Sequence, residues 1–531
     1  MTTLSEWLSP QLQAGSTAAA QRFQTPDGWR GRSYGELHDL VRRTAHVLHG
    51  LGAGPDGPVA IVARTSPEWS VVDLAAALIG APIVPVYPTS SAVQIADIVR
   101  RTRPAVVVTD RDDVVWPDAV TKRLGTAPGS LGELESGPLD DVAVAELDVL
   151  ASRVTGDDVY SIVFSSGSTG APKGCVLTHA NYVAVLRAAS AFETAGPDGA
   201  AHREHAFVFL PLAHVSARLQ QLTTFTLGGE LIYGSGDTAQ VLAQIEETRP
   251  TYVPGVPRLF ESAYQRVGRD PQGLRALFGP RLQYALTGGA PIDPAVLAAY
   301  AEAGILLVEG YGLTETSAAL TLCTPHANRP GSVGLPLPGV ELCVASDGEL
   351  LARGPNIFRG YLDDPEATRE AMPDGWFATG DLGRVDEDGF VFITGRKKNL
   401  LVTSTGKNIA PEPIENRLRL TLGLDDVVLV GDARPYLSAI VFAPDAEDAA
   451  LCAGVAAVNL DASPPERVRR LVVVPRPLDA AHGEVTPSGK VVRAAVLERC
   501  RSMIDDLYAG RPVASGRVLE VEVPQALART P

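Results

Sequence analysis

Ten consecutive residues, SSGSTGAPKG from Ser165 to Gly174, hold three serines, a threonine, three glycines and one lysine. Glycine N–H groups, short hydroxyls and a single point charge are what a phosphate-wrapping loop requires. The stretch follows a strand-like run, DDVYSIVFSS, and precedes GCVLTHANYVAVLRAAS, which turns helical after Thr178. It departs from the pattern G-x-x-x-x-G-K-[ST], because Pro172 precedes Lys173 and Gly174 follows it. By composition alone it reads equally well as a linker. Four further residues invite the same double reading. Glu315 in YGLTET is a metal ligand or a helix cap. Asp381 in ATGD is a hydroxyl acceptor or part of a turn. His214 in LPLAHV is a polar group at a site or a satisfied core residue. Lys490 in TPSGK is a catalytic cation or a solvated loop lysine.

The bulk of the chain narrows the chemistry. Its 531 residues exceed one compact core, so two or more domains are expected. A net charge of -16 argues against nucleic acid, which needs a basic footprint, so any anionic substrate must be met by local cations. The five cysteines, Cys175, Cys323, Cys343, Cys452 and Cys500, are scattered and form no CxxC pair. Neither a disulfide framework nor a zinc site is expected, and a reducing cytoplasm is the default compartment. Cys175, beside the loop, lacks a positioned base and reads as a small core residue. MTTLSEWLSPQLQAGS lacks the layout of a signal peptide. The apolar run Ser70 to Tyr87 carries Asp73, Pro82 and Pro85, which predicts a buried helix and strand rather than a membrane span.

The elements that must position these residues follow from periodicity. PVAIVA (Pro58 to Ala63), APIVPVYP and AVVVTD (Ala105 to Asp110) read as strands, with EWSVVDLAAALIG as a helix between the first two. Alternation of this kind predicts parallel α/β layers. Residues 111–155, rich in Asp, Gly and Pro, predict an irregular surface excursion. After Gly331, short runs broken by Gly and Pro predict small antiparallel β structure. Beyond GRKKN the α/β texture returns, with VVLVGD, LSAIVFAP and RLVVVPRPL as strands. The expected architecture is α/β: a large N-terminal domain, 1–396, of layered subdomains with a small β-rich part, and a small mobile C-terminal α+β domain, 397–531.

The loop has company. LPLAHV (Leu210 to Val215), LTGGAP (Leu286 to Pro291), EGYGLTET (Glu309 to Thr316), WFATGDLG (Trp376 to Gly383), FITGRKKN (Phe392 to Asn399) and TPSGK (Thr486 to Lys490) follow it in order. Together the seven segments resemble the signatures of the adenylate-forming superfamily: acyl-CoA synthetases, firefly luciferase and the adenylation domains of peptide synthetases. The resemblance covers most of the chain. It implies that a carboxylic acid attacks the α-phosphate of ATP to give an acyl-adenylate, from which a thiol displaces AMP. Such chemistry needs positioning and neutralisation of phosphate charge.

Residue by residue, the resemblance implies β- and γ-phosphate contacts from Ser165, Ser166, Gly167, Ser168, Thr169 and Gly170, with Lys173 adding charge. It implies an α-phosphate contact from Thr314 and Mg²⁺ held by Glu315. Gly288, Gly289, Ala290 and Tyr311 resemble an adenine slot, with Glu309, Gly310 and Gly312 in the same nucleotide site. Asp381 and Arg396 resemble the ribose contacts. Lys490 matches the lysine that bridges the carboxylate and the α-phosphate, and His214 a residue near the carboxylate. Lys398 matches a hinge about which the small domain rotates after adenylation. LVTSTGKN, with Gly406 giving close backbone approach, matches the lining of a pantetheine tunnel.

Among subfamilies, LPLAHV, GVPRLFE and RKKNLLVTSTGKNIAPEPIENRL look most like long-chain fatty acyl-CoA synthetases. One departure is HVSAR: that group often has an aromatic and an acidic residue where Ser216 and Ala217 stand. The acyl pocket is expected from Val215 to Gly229 and near Thr287 and Thr316 to Leu320, where Gly228, Gly229, Ala318 and Ala319 either open a slot or simply pack. A medium or long fatty acid is expected, with an aryl or polyketide-derived acid as the alternative. CoA is the expected acceptor, with an acyl carrier protein or an amine as alternatives. Membrane contact is at most peripheral.

Overall fold

The computed structural model describes residues 2–114, 116, 122–125, 132–135, 139–165, 172–193, 204–444, 446–486 and 489–521. Short β-branched runs form strands buried on both faces, as parallel sheets demand. Val59–Val62 pairs in parallel with Ile83–Val86 on one side and Val106–Thr109 on the other. Among the described residues these belong to a seven-stranded sheet that continues through Val159–Ser165, Lys173–Thr178 and Gly360–Tyr361. A nine-stranded sheet carries His205–Val208, Tyr252–Gly255, Tyr284–Gly288 and Leu306–Tyr311 as parallel neighbours in that order.

The main core lies between these two sheets, filled by helices Tyr34–Gly50, Pro67–Leu78, His179–Glu193 and Val215–Thr226. The helix Pro67–Leu78 starts where Ser66 accepts a hydrogen bond from Trp69 N at 3.2 Å, with Pro67 in its first turn. It is buried almost all round, including Asp73. No helix among the described residues is long and apolar enough to cross a membrane. Helices Thr238–Thr248, Pro257–Arg266, Pro271–Phe278 and Pro294–Glu302 form a second core on the outer face of the nine-stranded sheet. The β-rich part after Gly331 is a four-stranded antiparallel sheet, Glu341–Val344, Glu349–Arg353, Phe377–Val385 and Val391–Arg396. Residues beyond 400 build a separate four-stranded sheet with a core on each face.

One sequence expectation is corrected. Within 111–155, Asp141–Arg153 is a regular helix, started by Asp140 accepting from Ala143 N at 2.8 Å and anchored by buried Ala143 and Leu147. The composition signalled surface, but a helix with one buried stripe is also mostly polar. The helix read after Thr178 begins there, at His179. Lys173–Thr178 is a strand antiparallel to Val159–Ser165, with Ser165 opposite Lys173.

Candidate active site

Hairpin register sets the first part of the site. Ser165 and Lys173 end the two paired strands, and Ser166, Gly167, Ser168, Thr169 and Gly170 lie outside the described residues. The Lys173 ammonium stands 4.9 Å from the ring centroid of Tyr361, whose hydroxyl donates to Glu315 Oε1 at 2.9 Å. Tyr361 reaches this place because Gly360–Tyr361 pairs with Val176 and Cys175. Sequence reasoning missed it; its only signal was an aromatic in RGYL. Glu315 is also held through its carbonyl, which accepts from Phe358 N at 2.8 Å. It sits with Thr314 in a single 3₁₀ turn, Thr314–Thr316, followed by Ser317 and Ala318 at positive φ (54° and 81°). Such non-glycine conformations are sparsely populated and cluster at functional sites. Cys175 is fully buried behind this group, and burial pushes its thiol pKa well up, as a core residue requires.

The second part is a carboxylate shared by three elements. Asp381, only 7% exposed, faces Arg396 across the pair of strands Phe377–Val385 and Val391–Arg396. Arg396 Nε donates to Asp381 Oδ1 at 2.7 Å, and the Tyr311 hydroxyl donates to Oδ2, also at 2.7 Å. Arg396 Nη2 also donates to Oδ2, at 3.4 Å; a carboxylate offers about four lone-pair sites, so Asp381 retains about one for a hydroxyl donor. Tyr311 ends the strand Leu306–Tyr311, which carries Glu309 and Gly310 into register with Thr287 and Gly288. Gly288 is required by packing, since an added Cβ would stand 2.8 Å from the Gly310 carbonyl oxygen. Gly312 is equally hemmed in, 2.2 Å from the Ala318 carbonyl oxygen on the same test. Burial raises the Glu309 pKa to about 7, while Gly331 N–H opposes the shift. Ala290, at the end of this segment, is exposed.

Lys490 arrives from the far end of the chain. The turn that presents it is tied by Gly489 N to the Thr486 carbonyl at 2.8 Å and by Lys490 N to Thr486 Oγ1 at 3.0 Å. Its ammonium points at the Gly289 carbonyl, 3.5 Å away and 201 residues earlier in sequence. Solvent reaches the side chain, yet the protein around it and the charge of Arg396 lower its pKa from the ordinary lysine value. Gly289 has φ +79°, and a Cβ there would meet only the Lys490 ammonium, at 4.0 Å.

His214 completes the mouth. It caps the helix Val215–Thr226, its Nδ1 accepting from Ser216 N at 3.2 Å and pairing with Ser216 Oγ at 2.9 Å. The edge of Tyr87 stands against its ring. Burial and the nearby Lys490 ammonium lower its pKa to about 4, so the imidazole is neutral at physiological pH. Behind it, Arg218 and Asp73, both fully buried, form an ion pair at 2.7 Å that Gln221, Tyr160 and Ser161 complete. The small residues Gly228 and Gly229 do not widen a slot: a Cβ on Gly228 would meet Gln11, and one on Gly229 the Glu204 carbonyl and Thr224. Gly406 lies apart, at φ +75° in the hairpin between Leu401–Val402 and Asn408–Ile409, with nothing within 4 Å of an added Cβ.

The residues present fit ATP and a divalent cation. Lys173 and Lys490 are cations suited to phosphate oxygens, the anchored Glu315 carboxylate could hold a divalent cation, and the Asp381 carboxylate is an acceptor suited to sugar hydroxyls.

Comparison with known proteins gives a consistent picture. Residues 10–362 match the AMP-binding enzyme family, and residues 398–512 match the AMP-binding enzyme C-terminal domain. A long-chain-fatty-acid–CoA ligase, FadD15, from Mycobacterium bovis is 33% identical, over 90% of this chain and 92% of its own length. ATP-bound MatB from Rhodopseudomonas palustris shares the fold, with a TM-score of 0.75 at 24% identity, over 94% of this chain and 99% of that one. The inhibitor-bound N-terminal domain of FACL13 from Mycobacterium tuberculosis superimposes with a TM-score of 0.63 at 28% identity, covering 75% of this chain and all of that domain.

Proposed function

Because the chain belongs to the AMP-binding enzyme family, and within it is most like the fatty acyl-CoA synthetases, we propose that it activates a medium or long fatty acid with ATP as the acyl-adenylate and transfers the acyl group to CoA, releasing pyrophosphate and AMP. The observation that carries this reading is the position of Lys490: a lysine from the C-terminal part directed at Gly289, beside Asp381, Arg396 and His214.

In this reading the acid enters beside neutral His214, and Lys490 neutralises charge on both the attacking carboxylate and the α-phosphate. Asp381 takes the ribose hydroxyls, with Arg396 and the Tyr311 hydroxyl fixing its orientation. Thr314 contacts the α-phosphate, and Lys173 with Ser165 and the five residues after it receives the β- and γ-phosphates. Glu315, held by Tyr361, is the Mg²⁺ ligand; the cation would offset charge on the phosphate oxygens. The nucleobase lies along Gly288, Gly289, Ala290 and Tyr311, with Glu309, Gly310 and Gly312 supporting that wall. The chain divides at 396/397, and Lys398, exposed just after Arg396, serves as the hinge. Rotation there takes Lys490 away and brings the Gly406 hairpin to the pantetheine.

The test is pyrophosphate release from ATP with a panel of fatty and aryl acids, with and without CoA. Release is expected to need an acid and to turn over many times only with CoA. Lys490→Ala should lower the rate by about 10²–10³, the usual loss for one transition-state charge, without change in thermal stability, since the lysine is accessible to solvent. Acid-dependent release limited to one equivalent with CoA present would transfer the second step to a carrier protein or an amine. No release with any acid would overturn the reading.

A further inference from the structure

Among the described residues from 481 to 491, Glu484 alone is buried, and its side chain is fully so. The others are exposed or half-buried, and they include the hairpin that presents Lys490. Val485 and Val491 form an isolated antiparallel bridge. Val492 N donates to the Glu484 carbonyl at 2.8 Å, and Thr486 N to the Lys490 carbonyl at 2.8 Å. These bonds close the hairpin, yet they leave open where it points. Apolar packing, which is non-directional, has little surface to act on here.

The Glu484 carboxylate is held by three partners. Arg476 Nη1 donates to Oε2 at 2.6 Å and Nη2 to Oε1 at 2.7 Å. Asp479 N donates to Oε2 at 2.7 Å, and Arg499 Nε stands 3.7 Å from Oε1. The arginines belong to the body of the C-terminal part. Arg476 follows the strand Val468–Val474, its N–H on the Val474 carbonyl at 2.9 Å and its guanidinium 5.3 Å from the Phe442 ring centroid. Arg499 ends the helix Arg493–Arg499. On the outgoing arm, Arg493 donates to the Leu429 carbonyl at 2.8 Å and pairs with Glu415.

Burying a carboxylate costs desolvation that an apolar side chain avoids, and a buried ion pair is often no more stabilising than a hydrophobic one. What a two-pronged arginine–carboxylate contact adds is direction. Arg476 also holds the Glu484 carboxyl below the usual carboxylate range, so the pair is ionised at neutral pH. We propose that Glu484 is a positioning residue for Lys490: locked to Arg476, it orients the base of the hairpin so that the ammonium meets the Gly289 carbonyl. The assignment rests on the proposed role of Lys490 in adenylation. Because that role belongs to the first half-reaction alone, a misdirected lysine slows adenylation and leaves thioester formation intact.

The experiment measures the two half-reactions separately in the wild type, Glu484→Gln, Arg476→Lys and Lys490→Ala, with the acid that gives most release in the panel above. One assay reads pyrophosphate release in a single turnover without CoA; the other reads acyl-CoA formed from the synthetic acyl-adenylate and CoA. Glu484→Gln keeps the shape and removes the charge, whereas Arg476→Lys keeps the charge and removes the two-pronged contact. Each should slow adenylation by about tenfold to 10²-fold, the latter being the loss that a misplacement of about 1 Å can produce. Thioester formation should stay within about twofold. In a Lys490→Ala background, Glu484→Gln should cost nothing further, because no ammonium is left to orient. A parallel fall of both half-reactions in both variants would make Glu484 a support of the fold and overturn the inference. Unchanged adenylation in both variants, or a full further loss in the Lys490→Ala background, would also overturn it. Each of these outcomes leaves the ligase reading standing. Undiminished adenylation in Lys490→Ala, or no release by the wild type with any acid, would instead overturn that reading and this inference with it.

Discussion

His214 shows how environment assigns a role that residue type leaves open. Capping a helix turns its Nδ1 into an acceptor, and burial beside Lys490 lowers its pKa to about 4. The sign of the stability effect follows. An unfolded chain takes up this proton near the ordinary value of about 6.5, before the folded one does. The histidine's contribution is therefore complete above that value and is lost as pH falls from about 6.5 towards 4. His214→Asn, which keeps a capping side chain, should flatten the urea-unfolding free energy over that window by up to about 3 kcal/mol. For the same reason, the pH–rate profile should carry no His214 ionisation near 6.5, checked by comparing wild type and variant.

Elements are fixed by contacts that the residue scale does not announce. The helix Val215–Thr226 is tied to the helix Pro67–Leu78 and the strand Val159–Ser165 by Arg218, which pairs with Asp73 and donates to Ser161 Oγ at 2.6 Å. The same strand runs into the Gly-rich stretch, so one guanidinium positions the elements under both His214 and Ser165. The guanidinium also lies 4.5 Å from the Tyr160 ring centroid. Breaking a buried pair leaves an uncompensated charge. Asp73→Asn is therefore expected to cost about 3–5 kcal/mol in denaturant unfolding. The double replacement Asp73→Leu, Arg218→Met should recover most of that loss, because no lone charge remains.

Across the whole molecule, the arrangement that places Lys490 at Gly289 is held in part by weak contacts among the described residues. Arg258 and Asp425 form an exposed ion pair at 2.9 Å, Asn416 Nδ2 donates to the Pro291 carbonyl at 3.2 Å, and Leu420 packs against the outer core. An exposed pair contributes about 0–1 kcal/mol, so the contact is easily released, as the proposed rotation requires. Lys398 stands in a three-residue 3₁₀ turn between two firmly tied neighbours, Lys397 with Asp347 and Glu349, and Asn399 with Glu412. Lys398→Pro would restrict φ at that single position. Pyrophosphate release in one turnover should persist within about threefold, and CoA thioester formation should fall at least tenfold, read in separate half-reaction assays.

The sequence by itself determined the layers, because strand and helix periodicities are local, and it determined the reaction class, because seven motifs in fixed order are linear information. It located Glu315, Asp381, Arg396 and Lys490 through those motifs. What lay beyond it was every relation between residues distant in the chain. The antiparallel pairing of Lys173–Thr178 with Val159–Ser165, which sets Ser165 opposite Lys173, is a relation that the linear order does not state. Tyr361 reaches Glu315 only because a two-residue strand joins a sheet built from residues 180 positions and more earlier. Asp73, which served only to argue against a membrane span, became half of a core ion pair once Arg218 folded onto it. Burial and pairing are properties of the closed chain, and only the tertiary structure supplies them.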